Sequence, residues 1–297
     1  MSTNIAFLVG VIVANIPEGV FVSISVSLTL AAKRMAEKNV IVKKLGSVET
    51  LGSANVICSD KTGTLTTNQM TVQHMWYNGT IFRTEENVEG EESLIDLKNP
   101  VCKMICDISC LCNNAQFKEE EQGITGDASD KALLKFAQNN RDVRENRLKN
   151  PKLAEILFNS SNKFHVSVHK QENDPRHVVL LKGAPERVLR RCDSYYEYDK
   201  ELDKTYSSKI NSNWEKQYEE ALQYIGGRGE RIFGFAFAFL DPDIYNDNYK
   251  YDPDIENWQM DNLTFCGLVS MVDPPRENAF DAVKKVNFSF FIFPFII

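Results

Sequence analysis

The chain has 297 residues, of which 25% are charged, and its formal net charge is −7. This length suffices for two modest domains, and the composition is that of a globular protein. The negative balance and the absence of a basic stripe argue against a nucleic-acid-binding protein, because phosphate backbones are bound through positive charge.

The first part of the chain is far more apolar than the rest. Residues 5–32 contain only one ionisable residue, and a helix needs about 20 apolar residues to span a bilayer. The basic stretch KRMAEKNVIVKK follows, which is typical of the cytoplasmic side of a membrane helix. We therefore predict a transmembrane helix over residues 4–32 and a cytoplasmic stalk over 33–46. The predicted location is a membrane, most simply the plasma membrane, with the bulk of the chain cytoplasmic.

A proline and an acid interrupt this apolar run in the sequence ANIPEG. Proline removes a backbone donor, so carbonyl groups before it lose their helical partners. A carboxylate at membrane depth is costly and usually marks an ion path. Hard oxygen atoms of both kinds suit small cations. The predicted ligands of a transported cation are Val13, Ala14, Ile16 and Glu18. The alternative is a kinked, buried helix of a soluble protein with one protonated glutamate.

The stretch CSDKTGTLT, residues 58–66, follows the apolar run ANVI. We interpret ANVICS as a strand of an α/β sheet that places Asp60 at its carboxyl end. The residue order is wrong for a P-loop, and a simple capped turn is the structural alternative. In the chemical interpretation, Asp60 is a nucleophile that forms an aspartyl phosphate. Gly63 then allows the backbone to approach the phosphate, Thr62 and Thr64 donate hydrogen bonds to it, and Lys61 adds positive potential.

Residues 71–270 alternate between strand and helix patterns. TVQHMWY, RHVVLLKGA and GERIFGFAFAFL are predicted strands. DASDKALLKFAQNN is a predicted helix that begins with a capping aspartate, and PERVLRR is a helix with proline in its first turn. The polar stretch DPDIYNDNYKYDPDIENWQ is predicted to be an exposed loop.

Cysteine and histidine spacings raise the question of a metal site. Cys102, Cys106 and Cys110 fall four residues apart among apolar neighbours, which predicts a buried helix with free thiols. His165 and His169 lie in an alternating stretch that predicts a strand, so we give zinc little weight there.

Longer motifs carry a family resemblance. ICSDKTGTLTTNQMTV resembles the phosphorylation signature of the P-type cation-transporting ATPases, and VANIPEG resembles the cation-binding kink of their fourth membrane helix. FNSSNKFHVSVHK, LLKGAPERVLRRC, GERIFGFAFAFL and MVDPPRENAFDAVKKV are most similar to the α subunits of the sodium/potassium and proton/potassium pumps. The resemblance covers residues 5 to about 286 of the printed sequence.

The resemblance implies an α/β fold with two parts beyond the membrane helix. A partial haloacid-dehalogenase-like phosphorylation domain would begin at residues 47–70 and resume at 271–286. A large inserted α+β nucleotide-binding domain would occupy residues 71–270. Residues 287–297 would be an atypical apolar tail.

The same resemblance implies the residues of the nucleotide site. Phe158 would stack on adenine, and Arg231 would make a forked contact to the phosphates. Lys163 and Lys182 would neutralise triphosphate charge or border the base, and Gly183 would let the backbone come close. Asp130 stands where the family usually has glutamate, and a glutamine is common at the position of His165, which affects the detail of base recognition.

The function that the resemblance implies is an ATP-driven cation pump of the sodium/potassium-exchanging type, which forms an aspartyl phosphate at Asp60. ATP is the substrate, and Mg²⁺ would be held by Asp60 and Thr62 in an incomplete site. The lipid bilayer, monovalent cations and, in the full-length relative, a β subunit would be partners. The alternatives are a nucleotide-binding module without transport, a calcium-transporting P-type ATPase, and a soluble phosphatase of the haloacid-dehalogenase type.

After DPPRENAFDAVKKV the sequence changes to NFSFFIFPFII. The family continues from here to a TGD motif and later a GDGVNDSP motif, neither of which follows in this sequence, and its TGE motif does not occur in the chain. We expect a truncated or mis-spliced product with no activity of its own, in which the terminal run is a non-native extension.

Overall fold

The computed structural model describes residues 5, 7, 9–11, 18–84, 92–118, 123–172 and 174–289. The chain divides into two compact units, one formed by residues 1–61 with 277–297 and the other by residues 62–276.

The described helices are α1 (Glu18–Ala36), α2 (Gly46–Gly52), α3 (Pro100–Leu111), α4 (Ala128–Asn140), α5 (Val143–Lys149), α6 (Pro185–Leu189), α7 (Ser212–Gly227) and α8 (Ala279–Ser289). The described strands are β1 (Thr71–Tyr77), β2 (Thr80–Arg83), β3 (Ser93–Leu94), β4 (Gln116–Phe117), β5 (Ile124–Thr125), β6 (Lys152–Ile156), β7 (Phe164–His169), β8 (Val178–Gly183), β9 (Cys192–Asp199), β10 (Lys204–Lys209), β11 (Arg231–Phe239) and β12 (Leu263–Val272).

Helix α1 is the apolar helix of the first unit. Its segment Gly19–Ala36 is long and apolar enough to cross a membrane, and none of it is buried. The helix continues to Ala36 with Lys33 and Arg34 in its last turn, since these residues are good helix formers. The predicted cation ligands Val13, Ala14 and Ile16 lie outside the described residues, as does the side chain of Glu18.

The predicted strand ANVICS is wrong. Residues 54–57 have no regular secondary structure, and Cys58 forms only an isolated bridge. Val56 and Ile57 are exposed. The β-branched residues of this segment favour a strand only where a partner supplies ladder hydrogen bonds, and the described part of the chain contains no strand that pairs with 54–57.

The second unit is built on a ten-stranded sheet with the order β3-β2-β1-β12-β11-β8-β7-β6, to which β9 and β10 attach at β12. Most pairs are antiparallel, and β2/β3 and β9/β12 are parallel. The predicted strands TVQHMWY, RHVVLLKGA and GERIFGFAFAFL are confirmed as β1, β8 and β11.

Both faces of this sheet are covered, and strand β11 shows why. Its phenylalanines Phe233, Phe235 and Phe237 belong to one apolar core, which includes residues of α3 and α4. The intervening Ala236 and Ala238 belong to a second core on the opposite face, which includes residues of α7. The two-residue period of a strand therefore sends large side chains to one layer and small ones to the other.

The predicted helices are confirmed, together with their start signals. Asp127 caps α4 by accepting a 2.9 Å hydrogen bond from the Ser129 N–H, and α6 begins at Pro185. The cysteine-rich helix is α3, in which Cys102, Cys106 and Cys110 are buried free thiols, as the spacing indicates.

The predicted exposed loop lies between β11 and β12 and carries most of its polar residues at the surface. Its end differs from the prediction, because Trp258 is buried in the second core. Tyr251 packs edge-on against Trp258 with ring centroids 5.9 Å apart, so aromatic packing holds the loop against the sheet.

Candidate nucleotide site

A cavity of about 370 Å³ opens where β8 and β11 meet the loop between β6 and β7. It is lined by Asn114, Asp127, Ser129, Asp130, Leu157, Phe158, His165, Lys182, Arg231 and Phe233. A second cavity of about 300 Å³ shares three of these residues and is lined by Phe158, Ser160, Lys163, Ala184, Arg231, Ile232 and Phe233. The two cavities are therefore neighbours, and five of the six predicted nucleotide-binding residues line one or both.

Lys182 is buried because it lies on the core-facing side of β8, in line with apolar side chains of that strand. Val178 and Leu180 point into the core beneath α3 and α4, and the strand period places Lys182 on the same face. Only 4% of its side chain is exposed, and its Nζ lies 2.5 Å from Oδ1 of Asp130. A buried ammonium needs such a partner, and here the partner comes from the first turn of α4.

Asp130 remains ionised in this pair. Burial alone would raise its pKa, but the charge and hydrogen bond of Lys182 and a hydrogen bond from the Asn114 N–H outweigh burial and hold the pKa below its usual value. Asp130 thus bonds to the protein through both of its carboxylate oxygens.

Phe158 presents a half-exposed ring to the cavity, with 51% of the residue accessible. The loop that carries it is ordered by Asn159, whose side-chain oxygen accepts the N–H groups of Ser161 and Asn162. An ordered, exposed aromatic face with cationic neighbours is suited to stacking on a flat base.

Gly183 is needed for a close approach within the protein. A Cβ atom at this position would lie 2.4 Å from the carbonyl oxygen of Lys163 and 2.6 Å from Cα of Phe164. The same Lys163 carbonyl accepts a 2.9 Å hydrogen bond from the Ala184 N–H. Gly183 does not line either cavity, so what it places at the site is the Lys163 loop, which adopts a positive φ of 58° at Lys163.

Arg231 begins β11 and extends over the ring of Phe233, with the guanidinium carbon 5.2 Å from the ring centroid. Our sequence reasoning missed Phe233 as a lining residue. The alternation in GERIFGF holds the signal, because Arg231 and Phe233 are two residues apart on one strand face. It also missed Asn114, Ser129 and Leu157, which carry no comparable pattern, and it identified Asp127 only as a helix cap.

The loop after Asp60 is an irregular turn. Gly63 adopts φ 77°, which favours glycine, and its N–H donates a 3.1 Å hydrogen bond to Oγ1 of Thr66. Arg276 donates to the carbonyl oxygens of Gly63 and Thr64 at 2.9 and 3.2 Å. The sequence did not single out Arg276, although it lies in the motif DPPR.

A second residue of that motif completes the support of this loop. Both carboxylate oxygens of Asp273 take part: Oδ2 accepts from the hydroxyl of Thr66, and Oδ1 accepts from the N–H of Gln69 at 3.2 Å. The chain also pairs with itself here, since the Thr67 N–H donates to the carbonyl of Pro274. Residues 63–69 are thus held by residues 273–276.

The predicted catalytic residues fall on both sides of a unit boundary. Asp60 and Lys61 are exposed and belong to the first unit, whereas Thr62, Gly63 and Thr64 belong to the second. Among the residues that the structure describes, no three His, Cys, Asp or Glu side chains are grouped as metal ligands.

The family model for the P-type ATPase cytoplasmic domain N matches residues 101–278, which include every predicted nucleotide-binding residue. The sodium/potassium-transporting ATPase subunit alpha of Drosophila melanogaster is 44% identical over 291 residues, which are 95% of this chain and 27% of the relative.

Two further relatives are similar over the same share of this chain. The human sodium/potassium-transporting ATPase subunit alpha-4 is 45% identical over 290 residues, and the potassium-transporting ATPase alpha chain 2 of Cavia porcellus is 43% identical over 292 residues. Each alignment covers 95% of this chain and 28% of the relative. The chain thus spans a little over a quarter of the length of these proteins. Since the family model covers more than half of the chain, the chain belongs to the P-type ATPase family and contains its cytoplasmic N domain.

Proposed function

We propose that this chain binds ATP in the cavity between Phe158 and Lys182 and that Asp60 accepts the γ-phosphoryl group, as part of an ATP-driven cation pump of the sodium/potassium-exchanging type. The observation that carries the proposal is the single cavity in which an exposed aromatic ring, a buried Lys182–Asp130 pair and Arg231 come together. Two of the named relatives transport sodium and potassium, and the third transports potassium. These names do not favour the calcium alternative.

Different residues of the cavity are suited to different parts of a nucleotide. Phe158 offers its face to the base. Lys182 is already paired with Asp130, so it contributes a hydrogen-bonded polar wall more than free charge. Arg231 and Lys163 form no ion pair with any residue in the described part of the chain, and they are the cations left for the phosphates.

The phosphoryl transfer itself is a displacement at phosphorus. A carboxylate oxygen of Asp60 forms a bond to the γ-phosphorus while the bond to the β,γ-bridging oxygen breaks, and ADP leaves with that electron pair. The backbone of the loop that Asp273 and Arg276 support would donate hydrogen bonds to the transferred group. Lys61 adds positive potential beside it.

The oxygen atoms of Asp60 and Thr62 are of the hard class that Mg²⁺ prefers, and Mg²⁺ sites of this kind use one or two carboxylates with substrate phosphates and water. When bound, Mg²⁺ would reduce the repulsion between the carboxylate and the phosphates. We further propose that helix α1 lies in the plasma membrane, with the second unit in the cytoplasm. Glu18 and the carbonyls of Val13, Ala14 and Ile16 would then contact the transported cation, and a β subunit would assemble with a full-length relative.

Nucleotide binding is tested with the full 297-residue chain in detergent micelles. We expect Phe158→Ala to weaken binding of both ATP and adenosine by about 1–3 kcal/mol, since both present the same base to the ring. Phe239→Ala, which removes a partly exposed ring outside the cavity, is the matched control and should leave both titrations unchanged. Equal affinities of Phe158→Ala and the unmodified chain would refute the base-stacking role.

The acceptor role is tested separately by incubating the chain with Mg²⁺ and γ-labelled ATP and measuring acid-stable label. Label on the unmodified chain and on the control Asp243→Asn, which alters an exposed loop aspartate, with none on Asp60→Asn, would identify Asp60 as the acceptor. A chain that binds ATP but takes up no label would refute the acceptor role and leave the nucleotide site standing as a binding module.

A further inference from the structure

We propose that the buried carboxylate of Glu230 is a positioning residue for Arg231, and that it sets the phosphate selectivity of the nucleotide site without contacting the nucleotide. This inference rests on the proposed ATP site. It starts from a polar cluster that lies on the opposite side of the sheet from the cavity and that no step above uses.

The cluster is formed by Glu230, which immediately precedes β11, by side chains from the neighbouring strands β1 and β12, and by the residue at the end of α7. Glu230 has 2% of its side chain exposed. Its Oε2 lies 2.9 Å from Nδ1 of His74 on β1 and accepts a 2.5 Å hydrogen bond from the hydroxyl of Ser270 on β12. Its Oε1 lies 3.3 Å from Nε of Arg228, the residue that caps α7. The carboxylate is therefore held on both oxygens.

Further contacts tie this cluster to the backbone. The N–H of His74 donates a 3.0 Å hydrogen bond to the hydroxyl of Ser270. Gly229, with φ 75°, makes the turn from α7 into the strand. The chain thus leaves α7, turns at Gly229 and is then fixed to the sheet by the contacts of Glu230.

The next residue is Arg231. Neighbouring side chains of a strand lie on opposite faces of the sheet. Because Glu230 is anchored on the face away from the cavity, Arg231 is directed toward the cavity. The strand pairing agrees with this arrangement, because Ile232 lies opposite Ser270 and Arg231 lies opposite Met271. In the part of the chain that the structure describes, the Arg231 side chain is anchored by the ring of Phe233 alone, so the backbone at position 231 determines where this side chain starts.

A burial of this kind is costly, which indicates what the cluster contributes. A carboxylate removed from water and linked to a histidine, a serine and an arginine gains little over apolar packing in stability, but it fixes one arrangement. An apolar residue at position 230 could fill the space, but it would make no directional hydrogen bonds and so would not fix one path of the backbone into β11. The role of the Glu230 carboxylate is therefore to hold Arg231 in one position.

The experiment is a double-mutant cycle on the full chain in detergent micelles, with ATP and adenosine as the two ligands. Arg231→Ala should weaken ATP binding by about tenfold to a hundredfold, as expected for a charge-assisted contact, and should leave adenosine binding unchanged. Glu230→Gln keeps the shape but removes the charge. It should weaken ATP binding by about fivefold, within the range of coupling between neighbouring residues, and should also leave adenosine binding unchanged.

The cycle closes with the variant that carries both changes. If Glu230 acts through Arg231, the double variant should bind ATP no more weakly than Arg231→Ala alone. Additive effects, equal loss of ATP and adenosine binding, or no loss at all in Glu230→Gln would each overturn the proposal. Glu219→Gln, an exposed glutamate on α7, is the control and should bind both ligands as the unmodified chain does.

Ser270→Ala removes one hydrogen bond to Glu230 and keeps the charge, so it supplies the test if Glu230→Gln does not fold. It should lower ATP affinity about twofold or more and spare adenosine, and an equal effect on both ligands would again count against positioning. If the unmodified chain binds adenosine but shows no added affinity for ATP, the proposed phosphate site itself fails. If Arg231→Ala has its effect and the Glu230 and Ser270 variants do not, only the positioning role fails.

Discussion

The segment before Asp60 and strand β8 contain similar residues but have different structures. ANVI and VVLL are both short apolar runs rich in β-branched or aliphatic side chains. Val179 and Leu181 of β8 are fully buried, whereas Val56 and Ile57 are 51% and 42% exposed. β8 has β7 on one side and β11 on the other, and residues 54–57 have no ladder partner among the described strands.

The apolar pattern therefore determines which residues can form a strand, and the presence of neighbouring strands determines whether they do. Ladder hydrogen bonds and cross-strand packing stabilise a strand, and neither is local in sequence. The nucleotide cavity depends on β8 in the same way: Lys182 is buried at its end only because the strand is central.

The largest effect should come from breaking the Lys182–Asp130 pair. Asp130→Asn leaves a buried ammonium without its counter-ion, and removing one partner of a buried pair costs about 3–5 kcal/mol. We expect a loss of about that size in the free energy of unfolding in urea. Fluorescence of Trp76, Trp214 and Trp258 is a suitable probe, since all three are buried in the second unit.

Two variants sharpen this prediction. Asp130→Asn combined with Lys182→Met removes both charges and should recover most of the lost stability. Asp247→Asn breaks a pair with Lys170 in which the N–O distance is similar, 2.6 Å, but both side chains are exposed, so it should cost less than about 1 kcal/mol. Equal losses in Asp130→Asn and Asp247→Asn would show that burial does not distinguish these pairs.

Much of the site could be predicted because its residues lie in long motifs with strong local signals. The capping Asp127, the proline that starts α6 and the alternation of β11 are each specified by a few neighbouring residues. The Lys182–Asp130 pair could not be predicted from such signals, because it joins residues 52 positions apart and depends on the packing of α4 against the sheet. The Glu230 cluster is harder still, since His74 and Ser270 are separated by 196 residues and neither belongs to a recognisable pattern.

A second, pH-dependent effect concerns His169, which lies on β7 four residues after the pocket residue His165. Burial lowers the pKa of His169 from 6.5 to about 4, although a hydrogen bond to the Asn150 carbonyl opposes that shift. The unfolded chain therefore binds one more proton than the folded chain between about pH 4 and 6.5. Stability is present in full above pH 6.5 and falls as the pH is lowered through that window, by about 3 kcal/mol in total.

His169→Asn removes this proton uptake and keeps a side chain that can hydrogen-bond. The difference in unfolding free energy between the variant and the unmodified chain should shift in favour of the variant as the pH falls from 6.5 to 4. It should be constant above pH 7, where both states of His169 are neutral. Urea titrations at several pH values measure it, and a difference that does not change with pH would contradict a buried, neutral His169.

The smallest effect is expected in the segment before Asp60. Ile57→Ser removes an apolar side chain that is already 42% exposed and lies in no strand ladder, so we expect a loss below about 0.5 kcal/mol. Leu181→Ser, the matched change in β8, removes a fully buried side chain and introduces a hydroxyl into the core, and it should cost about 3 kcal/mol or more. Far-UV circular dichroism during urea unfolding reports on both units and measures the two variants together. A loss above about 1 kcal/mol in Ile57→Ser would mean that the segment is packed in solution, because an exposed, unpaired side chain cannot contribute that much.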